Sequence, residues 1–285
     1  MPVRTFSNLT RSLLVDPVAM VAGLWGRRDL IWQFTHRNIE LRHRGSRLGA
    51  AWALVNPLSM LALYYVIFGI IYRTRFNVLP GETGYDFLLA MFLGLSLFHA
   101  FSETLSWAPT LITSHPNFVK KVVFPLEVLP VAQLGASVFH LTVSLGLVLV
   151  GSAFGTSGFT WHVIWLPVIV LPLLLLSLGL AWFLAALGVF VRDIGQLSAF
   201  AVTVLLFASA IMFPAAMIPE QSPALWTVLK FNPILQIVEL ARHAVLWHEP
   251  IQFTKLAYVY ACGGGTFVIG AVFFSLLRRS FAEVI

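Results

Sequence analysis

Charged residues are scarce in this chain of 285 residues: Asp, Glu, Lys and Arg make up 11% of it, against about 25% in an ordinary soluble domain. A water-soluble enzyme of usual composition is excluded. Cysteine occurs once, as Cys262, which excludes an intrachain disulfide framework and a cysteine-based metal centre. There is no GxxxxGK(S/T) phosphate loop, no HExxH, no glycine-rich dinucleotide turn after a strand, and no pair of carboxylates sharing one apolar run. The chain alone has no common route to ATP hydrolysis, and no metal or other cofactor of its own is expected. Energy for any work must come from a partner or an ion gradient. Neither a repeat of solenoid period nor an inverted half-repeat is visible. The apolar run Leu13-Leu14-Val15 is broken at once by Asp16-Pro17, well short of a signal-peptide core, so no cleavable signal is expected.

What is abundant is apolar surface: 59% of the residues are hydrophobic, with 24 Phe and 9 Trp. Such a chain has lipid for most of its solvent. An Arg or Asp at mid-bilayer costs roughly 2.5–3.5 kcal/mol, so charge-free runs mark the crossings. Six are predicted, at about 48–72, 87–113, 131–154, 163–191, 197–218 and 256–277. The first reaches roughly 37 Å as a helix, enough for a core of about 30 Å with tilt. Pro167 and Pro172 predict a kinked or interfacial first turn in the fourth. Of the 18 Lys and Arg, 13 lie in residues 1–47, 114–130, 192–196 and 278–285, and five lie in the alternate connections. This asymmetry puts both termini in the cytoplasm and makes the net charge of +6 a topology signal, with no nucleic-acid partner.

Two segments are neither spans nor plain loops. From Leu24 to Arg44, Asp29, Gln33, His36, Glu40 and Arg44 fall on one stripe at helical spacing, with Leu30, Phe34 and Leu41 on another face. That predicts an amphipathic helix lying at the cytoplasmic interface. Residues 223–247 hold two short apolar pieces split by Asn232-Pro233, too short to cross, and predict a re-entrant helical hairpin on the extracytoplasmic side. The fold class expected is an all-α integral membrane protein: one transmembrane domain over 1–285, with six spans, the interface helix and the hairpin.

Within the second span, Ser96, His99, Glu103 and Ser106 share a helix face, and Glu103 is the only acid inside a predicted span. They read either as a proton relay or cavity lining, or as a buried polar seam with Glu103 neutral or paired to His99. Gln133, Ser137, His140 and Ser144 repeat the pattern in the third span. In the first, Tyr64, Tyr65, Phe68 and Tyr72 share a face in the outer half, and Trp52, Asn56 and Ser59 lie opposite. Such rings are either an interfacial belt or a stacking track for sugar rings. Trp226, Phe231 and Trp247 add aromatic surface on the same side, while Glu239 has Arg242 and His243 at helical spacing and can be neutralised locally. Segment 115–130 is basic and bracketed by prolines. Exposed Phe118 and Phe124 beside Lys120 and Lys121 suit docking into a groove of a soluble protein.

The run RDLIWQFTHRNIELRHRGSRLGAAWALVNP from Arg28 to Pro57 resembles the start of the membrane subunit of type-2 ABC exporters for polysaccharides. The segment NFVKKVVFPLEVLP from Asn117 to Pro130 and Phe231-Asn232-Pro233 are similar to that family too, in order and over nearly the whole chain. The resemblance implies a homodimer in the inner membrane, carried by two copies of a separate ABC ATPase that binds ATP and magnesium. The substrate implied is a lipid-linked polysaccharide of the O-antigen or teichoic-acid branch. It assigns coupling to the interface helix, with Arg28 and Arg37, and to Phe118, Lys120, Lys121 and Phe124. An extracytoplasmic gate falls on Trp226, Phe231, Asn232, Pro233, Glu239 and Arg242. The substrate channel is expected along Trp52, Tyr64, Tyr65, Phe68 and Tyr72, beside the polar group Ser96, His99, Glu103 and His140. A proton-coupled carrier working through His99 and Glu103, and a type-2 ABC exporter of drugs or small lipids, are the competing readings.

Overall fold

A computed structural model describes residues 18–43, 49–72, 75–76, 78, 81–120, 124–156, 158 and 160–285; of His43 and Ala50 only the backbone is described. Every regular element among the described residues is helical. Residues 18–26 (α1) and Arg28–His43 (α2) are separated by a turn at Arg27, so the interface segment is two helices rather than one. Trp52–Tyr64 (α3) runs on into a π-helical stretch, Tyr65–Ile71. Gly84–Trp107 (α4), the short Pro116–Lys120 (α5) and Val128–Ser152 (α6) follow. After them come Leu166–Phe190 (α7), Ile194–Ala208 (α8), Met217–Gln221 (α9) and Pro223–Leu229 (α10). Pro233–Arg242 (α11) continues as a π-turn to Trp247, and Phe253–Leu277 (α12) and Phe281–Val284 (α13) end the chain.

Among the described residues, five helices are long and apolar enough to cross a bilayer. The sixth apolar helix, α8, has 15 residues, about 22 Å, and the predicted run 197–218 is not one helix. It stops at Ala208, and Ala210 takes a left-handed backbone (φ 49°). The reason is tertiary. The freed carbonyls find side-chain donors: Asn232 Nδ2 donates to Ala208 O (3.1 Å), and the Arg242 guanidinium to Ala210 O (3.0 Å) and Ile211 O (2.6 Å). Water-poor surroundings tolerate such a break only when every carbonyl is satisfied in this way.

Helix α4 is the centre of the core, buried along almost its whole length, and packs antiparallel to α6. Helices α7 and α12 form the closest pair and run parallel. A Cβ on Gly263 would lie 2.5 Å from Pro172 O, and one on Gly270 2.0 Å from Gly179 O, a constant offset along both helices. Lipid gives no hydrophobic drive between helices, so glycine-permitted backbone approach supplies the association. Helix α3 is the opposite case: of its residues only Ala53 is buried.

Candidate functional site

An open cleft of about 1050 Å³ lies between α3 on one wall and α4 with α6 on the other. Trp52, Asn56, Ser59, Leu63 and Tyr64 line it from α3, Ser96, His99, Ser102, Glu103 and Ser106 from α4, and His140 and Ser144 from α6. The two polar faces therefore meet across a cavity rather than as a closed seam. Gln133 and Ser137 lie outside it: Gln133 accepts from Asn38 of α2 (3.2 Å), and Ser137 accepts from Thr104 (3.4 Å).

Glu103 is neither neutral by isolation nor paired to His99. Arg42, at the end of α2, reaches into the cleft and forms an ion pair with it. The carboxylate is therefore already engaged by a cation from another helix. Arg42 escaped sequence reasoning because it sits on a different element, although a lone acid in a span is itself the signal that a cation must be found.

Above the cleft, three of the four aromatic residues predicted to share a face form a ladder. The backbone N–H of Tyr72 donates to Ile67 O (2.9 Å), a five-residue spacing. This π-turn leaves Tyr65 over Gly69 and aligns Tyr64, Phe68 and Tyr72, with successive centroids 6.3 and 5.9 Å apart. Only Tyr64 of the four lines the cleft. Phe68 packs on Phe87, which stacks on Phe76 (4.9 Å), which meets Trp247 (5.9 Å), so aromatic surface runs from the cleft to α11.

In the predicted gate, Asn232 caps α11, its Oδ1 accepting from Ile234 N (3.0 Å), and Pro233 follows at the first helical position. Arg242 is fully buried; besides the two carbonyls after α8 it donates to Ala90 O of α4 (3.0 Å) and Glu239 Oε1 (2.8 Å), and lies over the Phe76 ring. These residues pin α11 to α4 and to the break after α8. His243 lies between two carboxylates, its Nε2 4.0 Å from Glu239 and its Nδ1 2.6 Å from Glu249. Trp226 packs against Ala210, Ala215, Ile218 and Leu235, and Phe231 is exposed.

In the predicted coupling segment Phe118 and Phe124 are half-buried, not exposed: they stack at 4.5 Å and both meet Phe34 of α2, with Arg37 over the Phe34 ring (4.4 Å). Arg28 lies exposed beside Asp29, and Lys120 Nζ donates to Ile285 O (2.6 Å). Lys121 lies outside the described residues. Asp29, Gln33, His36 and Glu40 of the predicted polar stripe are exposed, as are Trp32 of α2 and Trp25 of α1, while Thr35 and Asn38 bond α6. Glu127, which the sequence reading passed over, is buried and accepts from both Arg27 and Arg278 (3.5 Å), tying the interface helices, segment 115–130 and the end of α12 to one carboxylate. Among the described residues no cluster of His, Cys, Asp or Glu is arranged to hold a metal ion.

O-antigen export system permease protein RfbA of Myxococcus xanthus is 28% identical over 94% of this chain and its own whole length. A Klebsiella pneumoniae protein of the same name is 23% identical over 90% of this chain and 95% of its own. Polysialic acid transport protein KpsM of Escherichia coli is 27% identical over 74% of this chain and 78% of its own. The family described as ABC-2 type transporter matches residues 29–246, and to that family the chain belongs.

Proposed function

We propose that the chain is the permease subunit of an exporter that moves a lipid-linked polysaccharide, O-antigen-like or teichoic-acid-like, across the cytoplasmic membrane. ATP hydrolysis in a separate ABC subunit drives it. The observation that carries this is the cleft: at about 1050 Å³ it stands at the top of the usual small-molecule range of about 300–1,000 Å³, and it is open rather than enclosed. It is walled by hydroxyls and imidazoles together with the rings of Trp52, Tyr64, Phe92 and Trp107, surfaces that a chain of several sugar rings can touch and leave. The names of the relatives above support the substrate class.

Six crossings are part of this proposal, supported by the parallel pairing of α7 and α12, with both termini inside on the asymmetry of Lys and Arg. Two parallel helices require that the chain between them returns across the bilayer, and α8 with residues 209–222 is the segment available. The hairpin of α10 and α11 then lies outside. A homodimer is proposed because α3, nearly bare of buried residues, leaves one side of the cleft open for a second copy. Coupling follows from α2 being one rigid body. Phe34 and Arg37 stand at the cytoplasmic aromatic cluster, and Arg42 stands about 12 Å further along in the cleft. A push on segment 115–130 by an ATPase is therefore delivered to the cleft mouth.

The test is a strain in which this chain is the sole permease of its locus. Deleting the gene should leave completed polymer inside the cell and remove it from the surface, measured by surface immunolabelling against total cell glycan. Surface polymer at the undeleted level refutes the reading.

A further inference from the structure

A second, smaller depression of about 310 Å³ lies between the turn after α10 and the first turn of α12, lined by Lys230, Phe231, Gln236, Thr254, Lys255 and Tyr258. Residues 215–255 hold three cations. Arg242 is consumed inside the fold, and the other two are these lysines. Among the described residues neither lysine has a carboxylate within 4.0 Å. Two like charges converging without an acid between them make a site for an anion.

Two further features point to a ligand. Gln236 is 6% exposed; its Nε2 donates to Lys230 O (2.8 Å), while its buried Oε1 has no partner among the described residues. Such a buried acceptor is costly unless something donates to it. Helix α12, 25 residues long, opens on Gln252 without a side-chain cap. Two of its first-turn residues, Thr254 and Lys255, line the same depression, so uncapped amides and the positive end of the dipole lie beside it. The Tyr258 hydroxyl donates to Phe231 O (2.6 Å) and fastens the turn carrying Lys230 to the helix carrying Lys255. Exposed Phe231 and Phe253 flank the lysines, the arrangement of a bilayer interface.

We propose that this depression binds the phosphate of a lipid in the extracytoplasmic leaflet. The lysines and α12 amides hold the phosphate oxygens, Gln236 Oε1 accepts from a neighbouring hydroxyl, and the tail lies over Phe231 and Phe253. Phosphate suits the site because several oxygens can take ammonium and amide donors at once. Two sources share this chemistry, a membrane phospholipid and a polyprenyl phosphate carrier. Only the choice of leaflet rests on the orientation proposed above; the binding itself does not.

The full chain, purified in detergent, is titrated with a polyprenyl phosphate and with phosphatidylglycerol. Polyprenol and diacylglycerol, which keep the tails and lack the phosphate, are run in parallel, and retention is read by native mass spectrometry. At least one phosphate lipid should be retained roughly tenfold better than its phosphate-free counterpart. That preference should vanish in Lys230→Gln/Lys255→Gln, persist in Lys230→Arg/Lys255→Arg and weaken in Gln236→Leu. Preference for the polyprenyl phosphate identifies a carrier lipid, and preference for phosphatidylglycerol a bilayer phospholipid; either upholds the site. Equal retention with and without phosphate overturns it, as does a preference unchanged in the double glutamine variant. If that variant melts early, Lys255→Gln alone provides the same comparison.

Discussion

Helix α12 carries three consecutive glycines, Gly263, Gly264 and Gly265, whose surroundings differ, and alanine at each should separate packing from propensity. In an ordinary helix Gly→Ala stabilises by roughly 0.5–1 kcal/mol. That sign should hold at Gly264 and Gly265, where an added Cβ meets nothing within 4 Å. At Gly263 the Cβ would sit 2.5 Å from Pro172 O, about 1 Å closer than ordinary contact, and at Gly270 2.0 Å from Gly179 O. Backbone cannot yield as a flexible side chain does, so α7 and α12 must part. A gap of 0.5–1 Å already forfeits a quarter to a half of each dispersion contact, and overpacking of this kind costs about 1–3 kcal/mol. Gly263→Ala and Gly270→Ala should therefore each lower the thermal midpoint by several degrees, at roughly 2–4 °C per kcal/mol, in micelles followed by tryptophan fluorescence. Gly264→Ala and Gly265→Ala should leave it unchanged or raise it. A Gly270→Ala protein at least as stable as the parent would refute the parallel backbone-to-backbone packing, and with it the argument for six crossings.

Three other outcomes are expected. Arg242→Gln should destabilise by about 3–5 kcal/mol, because Glu239 and the carbonyls of Ala90, Ala210 and Ile211 lose a fully buried partner; a melting curve within one degree of the parent would contradict this. In a Cys262→Ser background, cysteines at Ser114 and Ser222 should label from opposite sides of the membrane in intact cells and inverted vesicles, and labelling from one side breaks the six-span arrangement. Glu103→Gln should leave export independent of the proton gradient, since its carboxylate is committed to Arg42; loss of gradient-driven transport together with normal partner ATPase activity would restore the proton-carrier reading.

Sequence by itself determined that this is an all-helical chain of apolar spans, because transfer into lipid is a cost borne residue by residue and is legible without knowing any neighbour. It also singled out Glu103 as an acid where lipid tolerates none, and it marked Asn232-Pro233 as a helix start. It was silent on whom these residues meet. Arg42 finds Glu103 across 61 positions and Arg27 finds Glu127 across 100, distances that only the docking of α2 on α4 and α6 closes. The end of α8 at Ala208 has no strong local signal. It depends on Asn232 and Arg242 arriving from α11 with donors for the freed carbonyls. The aromatic ladder is another case: spacing puts Tyr64, Tyr65, Phe68 and Tyr72 on one face, and only Tyr64, Phe68 and Tyr72 come into line. Hydropathy and periodicity are properties of a segment in its solvent. Ion pairs, broken helices and glycine contacts are properties of two segments at once, and only the tertiary structure brings them together.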